Sequence, residues 1–201
     1  MIRTCTALVA LGIAALFAGC GPSVQPLRVS SPFTAEHAPF FENGVDYIED
    51  PSILEGSWLE AWEHDIEQRV SLSDAIALVT ITTLRTDQDL ERHETWRLVA
   101  HVDRVRHGEG VPEEITLVVR EGEAGFGTVR GNEERLLNQR FVLFVKWSTD
   151  DSGVIVPRWH LSPAGERIVR RVNSLIELRH TPVEERRRVI VHEHDDPSDE
   201  E

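Results

Sequence analysis

A chain of 201 residues with 40% hydrophobic and 28% charged side chains has the material for one folded core plus appendages. Its 35 acidic against 21 basic residues give a formal charge of −14, which excludes a general attraction to phosphates and makes nucleic acid a poor partner. The two cysteines, Cys5 and Cys20, both fall near the N-terminus; the remainder can hold neither a disulfide nor a cysteine-ligated metal, and no cofactor is expected.

Residues 1–20 have the layout of a secretory signal. Arg3 supplies the positive n-region, and 8–17 is an apolar h-region too short to cross a bilayer, which takes ~20 residues. Ala18-Gly19 is a small-residue cleavage site directly before Cys20. Phe17-Ala18-Gly19-Cys20 resembles the lipobox of bacterial lipoprotein signals, with Phe17 where Leu is commoner. The resemblance implies cleavage after Gly19, a diacylglyceryl group on the Cys20 thiol and acylation of the new amine. Several acyl chains together anchor stably where one binds only marginally. In the sorting rule of such proteins, Asp after the cysteine retains the chain at the inner membrane; Gly21 therefore implies the outer membrane. The expected division is 1–19 signal peptide, 20–51 lipidated N-terminus and tether, 52–191 folded domain, and 192–201 acidic disordered tail.

The tether carries Pro22, Pro26, Pro32, Pro39 and Pro51 and reads as a linker. Its aromatic cluster, Phe33, Phe40, Phe41 and Tyr47, is expected to fold back onto the domain. Residues 57–70 read as a helix, because Trp58, Trp62, Ile66 and Val70 recur every four residues; both tryptophans are expected to plug it against a sheet. Residues 75–84 are nearly continuous in apolar and β-branched types and read as a first strand, followed by a polar loop over 86–92. Residues 95–105 alternate, with Trp96, Leu98, Ala100 and Val102 on one face and Arg97, Val99, His101 and Asp103 on the other, as in a half-buried strand. After a glycine turn at 107–112, residues 114–120 alternate again. Residues 121–138 hold four glycines and are expected to form a mobile loop. No Lys-Ser/Thr follows Gly125-Phe126-Gly127, and nearby glutamates would repel phosphate, so this is not a phosphate loop.

Residues 141–147, Phe-Val-Leu-Phe-Val-Lys-Trp, read as the central strand, and 154–159 as a fifth. Ser162-Pro163 is expected to start a helix as N-cap and first helical residue, with Ile168, Val172, Leu175 and Ile176 on its apolar face. Thr181-Pro182-Val183-Glu184 has the form of a capping box before a short last helix. The basic triplet at 186–188 reads as a solvated face.

Five strands, a long segment before the fourth and a helix after the fifth resemble the netrin-like module, an OB-fold also found in tissue inhibitors of metalloproteinases and in many bacterial secreted proteins. The resemblance is carried by Ser73-Asp74-Ala75-Ile76-Ala77-Leu78-Val79, by 102–110 ending in His107-Gly108 where the module has Lys-Gly, and by Asn138-Gln139-Arg140-Phe141-Val142-Leu143-Phe144. Asn138 stands for a glycine and can adopt the same left-handed turn. The resemblance spans about 71–178 and implies a mainly β fold, a five-stranded OB-type barrel with an N-terminal and a C-terminal helix. It does not carry over metalloproteinase inhibition, since the inhibitors' free N-terminal cysteine and disulfides have no counterpart.

No metal site is expected. His192-Glu193-His194-Asp195-Asp196 lies in the tail, where no site is preformed; Glu60 and His64 lack the second histidine of a zinc protease; His101 reads as a surface histidine. Ser, His and Asp occur without a Gly-x-Ser-x-Gly elbow. The expected function is a non-enzymatic binding or assembly module, held at the membrane by its lipid and engaging a protein or other envelope partner. The expected binding face is Arg97, Val99 and His101, with Phe126 of the glycine loop. The alternatives are a hydrolase, metal-dependent or otherwise, and a structural envelope protein.

Overall fold

The computed structural model describes residue 27 and residues 29–181. The signal segment, Gly19, Cys20, the basic triplet, the short last helix and the acidic tail lie outside the described residues.

The fold is mainly β. Six strands, β1 (Gly44–Val45), β2 (Ala75–Gln88), β3 (Glu94–His107), β4 (Glu114–Arg120), β5 (Arg140–Thr149) and β6 (Ile155–Pro163), make one mixed sheet in the order β1-β6-β5-β2-β3-β4, curled into a half-barrel. Every pairing is antiparallel except β1 with β6, where Gly44 lies opposite His160 and Val45 opposite Leu161. Among the described residues four α-helices accompany it: α1 (Ser57–Leu72), the single turns α2 (Phe126–Val129) and α3 (Glu133–Leu136), and α4 (Glu166–His180).

The near-continuous apolar runs of β2 and β5 have a physical reason: both strands are covered on both faces. Ala75, Ala77, Val79 and Ile81 of β2 and Phe141, Leu143, Val145 and Trp147 of β5 point into the barrel, where they meet Leu98, Ala100, Leu117, Trp159 and Leu161. Their neighbours Ile76, Leu78, Val142 and Phe144 face α1 and α4 through Trp62, Ile66, Val70, Ile168 and Val172. Each such large side chain removed from water contributes about 1.5–3 kcal/mol. β3 and β4 are covered on the barrel side alone, which is why they alternate.

Sheet closure depends on side chains. The indole Nε1 of Trp159 donates to the Val118 carbonyl at 3.1 Å, joining β6 to β4 where no ladder runs. Asn43, at φ 58°, donates its backbone N–H to the Trp159 carbonyl at 2.9 Å, and its Oδ1 accepts from Trp159 N–H at 3.1 Å.

The structure corrects several expectations. Five strands become six, because a two-residue stretch of the expected tether enters the sheet. Phe41 is buried there, and Phe33, Phe40 and Tyr47 pack partly against the domain. The first strand continues to Gln88 through part of the expected polar loop. Ser162-Pro163 ends β6 instead of starting a helix: Ser162 is fully buried and its hydroxyl donates to Asp46, while α4 begins at Glu166 after Gly165. Residues 121–138 are not an open loop, since Phe126, Val129 and Leu136 close the barrel interior. Gly125 is a packing glycine: a Cβ there would stand 2.2 Å from the Asn43 carbonyl oxygen and 2.5 Å from the Gly44 Cα. Trp62 is buried as expected, but Trp58 is 76% exposed.

Candidate functional site

A cleft of about 870 Å³ lies at one end of the half-barrel. Three pieces of chain build it. Tyr47, Glu49 and Asp50 come from the N-terminal segment; Glu134 and Arg135 from α3, with Asn138 and Gln139 just after; Arg140, Phe141, Pro163, Ala164 and Gly165 from the paired ends of β5 and β6 and the turn into α4.

Local chemistry fixes each wall. Asn138 adopts the expected left-handed conformation, at φ 61°. It donates its backbone N–H to the Ile81 carbonyl at 2.8 Å, and Ile81 N–H returns to the Gln139 carbonyl at 3.1 Å, so the two amide side chains are carried on paired backbone. Tyr47 donates its hydroxyl to the Thr128 carbonyl at 2.6 Å, and the Arg135 guanidinium lies 3.8 Å over its ring, a cation–π contact. Burial pushes the Tyr47 phenol up to about 12, which keeps it a neutral donor. Gly165 permits close approach: a Cβ would stand 2.6 Å from the Glu49 carbonyl oxygen. Hydrogen bonds from Ser52 hold the Asp50 carboxyl below the usual carboxylate range, so it is an ionised group and no proton donor. Asp50 faces Arg167 at 3.7 Å and Arg140 faces Asp103 at 3.4 Å. No ion pair forms at Glu49 or Glu134 among the described residues.

The cleft can offer amide hydrogen bonds, an aromatic–guanidinium platform and charges of both signs. Its lining holds no serine, threonine, cysteine or histidine; the groups there able to act as base or nucleophile are the carboxylates of Glu49, Asp50 and Glu134 and the Tyr47 phenol. Among the described residues no group of three or more His, Asp or Glu side chains is placed to hold a metal ion.

A serine, a histidine and an aspartate do come together elsewhere. Asp46 Oδ2 lies 3.2 Å from His160 Nε2, accepts from the Ser162 hydroxyl at 2.5 Å and faces Arg69 at 3.8 Å. The wiring is wrong for a nucleophile: Ser162 bonds the carboxylate, not the imidazole, and both side chains are sealed from solvent. Burial, reinforced by Arg69, lowers the His160 pKa, so the neutral ring donates from Nε2 to Asp46 and leaves Nδ1 without a partner. For Asp46, burial alone would raise the pKa; the hydrogen bonds from His160 and Ser162 and the Arg69 charge outweigh it and lower the value. This trio fastens β1 to β6 and α1. The sequence offered no signal for it, because Asp46 is more than a hundred residues from His160 and Ser162.

The expected binding residues divide. Arg97, Val99 and His101 share the outer face of β3. That face is laced to its neighbours: Arg97 Nε pairs with Asp87 Oδ2 at 2.8 Å and Thr80 donates to Asp103 at 3.0 Å. Phe126 does not join them. It is 8% exposed and packs inside the barrel, because α2 turns it inward beneath the Gly44–Gly125 contact. Of the cleft residues, Glu134 was hidden in a segment that reads as loop, whereas Asn138 and Gln139 were marked by their motif but not as part of a cleft. The chain matches no family model, and no curated protein matches it.

Proposed function

We propose that this chain is a non-enzymatic binding module, carried into the cell envelope on lipid at Cys20 after cleavage at Gly19 and displayed from the outer membrane, with the end cleft as its ligand seat. The observation that carries the reading is the cleft itself: roomy, preformed on paired backbone, and lined by amides and charges of both signs. In this reading β2 to β6 are the five strands of an OB-type barrel of netrin-like character. Such barrels are partly open, and the Trp159 bridge to Val118 stands where a last ladder would be.

Two measurements test it. Intact mass of the mature chain is expected to show lipid on Cys20; a free thiol there, or a leader still attached, would remove the anchor from the account. Chemical-shift mapping of the full chain against envelope glycans and peptides is expected to move Tyr47, Arg135, Asn138 and Gln139 together. Shifts confined elsewhere would remove the cleft, and turnover of an added compound would restore the hydrolase.

A further inference from the structure

A pocket of about 440 Å³ opens where the last turn of α4 meets the end of β3 and the glycine turn after it, lined by Val105, Arg106, His107, Gly108, Glu109 and His180. Its donors lack partners. The two imidazoles stand 5.4 Å apart between ring centres, and neither makes a hydrogen bond or ion pair among the described residues. Arg106 makes none either, and its Nε is shut off from solvent without an acceptor, where such a group ordinarily has one. Arg104 is exposed and makes no ion pair among the described residues. It lies opposite Leu78, as His107 lies opposite Ile76, so both emerge on the helix side of the sheet. Glu109 is the one carboxylate among the lining residues. Burial first, then the charges of Arg179 and His180, lower the His107 pKa. The local field is therefore positive, in a chain whose formal charge is −14. An anion with several acceptor oxygens answers all of these groups at once.

The place of the pocket selects the anion. Gly108, at φ 96°, lies against the Asp74 carbonyl, which a Cβ would meet at 2.5 Å, and the Asp74 carboxylate holds Ser30 of the N-terminal arm. The arm thus reaches the domain beside the pocket. Leu27 packs partly against the barrel core and follows Cys20 by seven residues, a span of at most about 25 Å. A domain of this size is about 40 Å across, so lipid on Cys20 would hold the arm's end of the domain towards the bilayer. The cleft is turned away from it. Arg140 lines the cleft and Lys146 meets the arm, and the run of β5 between them is about 20 Å.

We infer that Arg104, Arg106, His107 and His180 seat the phosphate of an anionic lipid headgroup, so that the domain rests on its own bilayer by this corner and holds the cleft outward. The inference rests on the lipid anchor of the proposed function for the nearness of the bilayer, and adds a contact that the anchor does not require.

Two arms test it. In the first, the mature full chain, its lipid read by intact mass, is placed in phosphatidylglycerol nanodiscs doped with a lipid whose headgroup chelates gadolinium. Amide signals at 104–109 and 178–180 are expected to broaden most, with Tyr47, Asn138 and Gln139 spared; in phosphatidylcholine discs that selectivity is expected to vanish while the anchor stays. In the second, the mature chain made without lipid, as Cys20→Ser, is titrated with phosphatidylglycerol vesicles, which reads the seat apart from the anchor. Affinity is expected to fall about fivefold with each of Arg104→Gln and Arg106→Gln, and to persist in Arg104→Lys/Arg106→Lys. A mature chain bearing no lipid would strike the anchor and leave the second arm to decide the seat. No vesicle binding by the unlipidated chain, affinity indifferent to the two arginines, or equal broadening in both discs would overturn the seat. Shifts at 106 and 107 with inorganic phosphate but not with vesicles would overturn the bilayer as its source.

Discussion

Lys146 Nζ lies 2.9 Å from Asp74 Oδ1, and both side chains are almost completely buried. The pair sits where β2 begins alongside β5. The carboxylate is satisfied twice more, by Trp147 N–H at 2.9 Å on Oδ2 and by the Ser30 hydroxyl on Oδ1. Ser31 accepts from the ammonium at 2.9 Å. A charge in the middle of the most apolar strand is tolerated because the N-terminal segment completes its hydrogen bonds. Lys146→Met alone should therefore cost about 3–5 kcal/mol, by leaving the carboxylate buried without its counter-charge. Lys146→Met with Asp74→Asn should recover part of that loss, and Ser31→Ala should cost only about 1 kcal/mol. Urea midpoints at constant slope measure all three; equal losses in the single and double variants would refute the pairing.

The two tryptophans of α1 separate cleanly in a second experiment. Trp62→Ala empties a site in the helix-side core and should cost about 3–5 kcal/mol. Trp58→Ala should change stability by no more than about 0.5 kcal/mol. A large loss at position 58 would mean that its side chain is not where the structure puts it.

His160 predicts a pH dependence. Its pKa in the fold is lowered, by burial first and Arg69 second, whereas in the unfolded chain it titrates near the ordinary 6.5. Below that value the unfolded chain takes up a proton that the folded chain refuses, so stability must fall as pH drops from about 7.5 towards 5. His107, lowered by burial and by Arg179 and His180, adds the same sign. His160→Gln should flatten the slope in part, and His160→Gln/His107→Gln further. Thermal unfolding across that range reads it directly, and an unchanged slope in the double variant would contradict the assignment.

Gly125 and Gly127 make a matched pair. Alanine at 125 forces a Cβ against the backbone of Asn43 and Gly44 and should cost about 1–3 kcal/mol. Alanine at 127 meets nothing within 4 Å and should be neutral or mildly stabilising in its helical turn. Similar losses at both positions would count against β1 lying where it does.

Much of this was legible in the chain because period and burial coincide. The alternation through Trp96, Leu98 and Ala100 and the fourfold spacing through Trp62, Ile66 and Val70 each report one covered face, and each element stands where that spacing puts it. Three features were not legible. Ser162-Pro163 suits a helix start, yet it also suits a strand end, where Pro163 needs no ladder donor; Asp46 decided between them from across the sheet. Phe126, Val129 and Leu136 are too few and too widely set among glycines to show a period. Strand β1 is two residues long, too short to show a period, although the aromatic cluster around it marked the segment as one that folds back. The cleft inherits this in part: Tyr47, Glu49, Glu134 and Arg135 come from the illegible stretches, whereas the outer face of β3 was legible and turned out to be laced to its neighbours.

The serines over Lys146 also make a mechanical statement. Any tug arriving along the N-terminal arm meets Ser30 and Ser31 before it meets a strand, and there it loads a hook seated on the domain's central pair. Displacing the arm would strip Lys146 and Asp74 of those hydroxyls, so the domain's hold on its N-terminal segment and its resistance to unfolding are set at one spot.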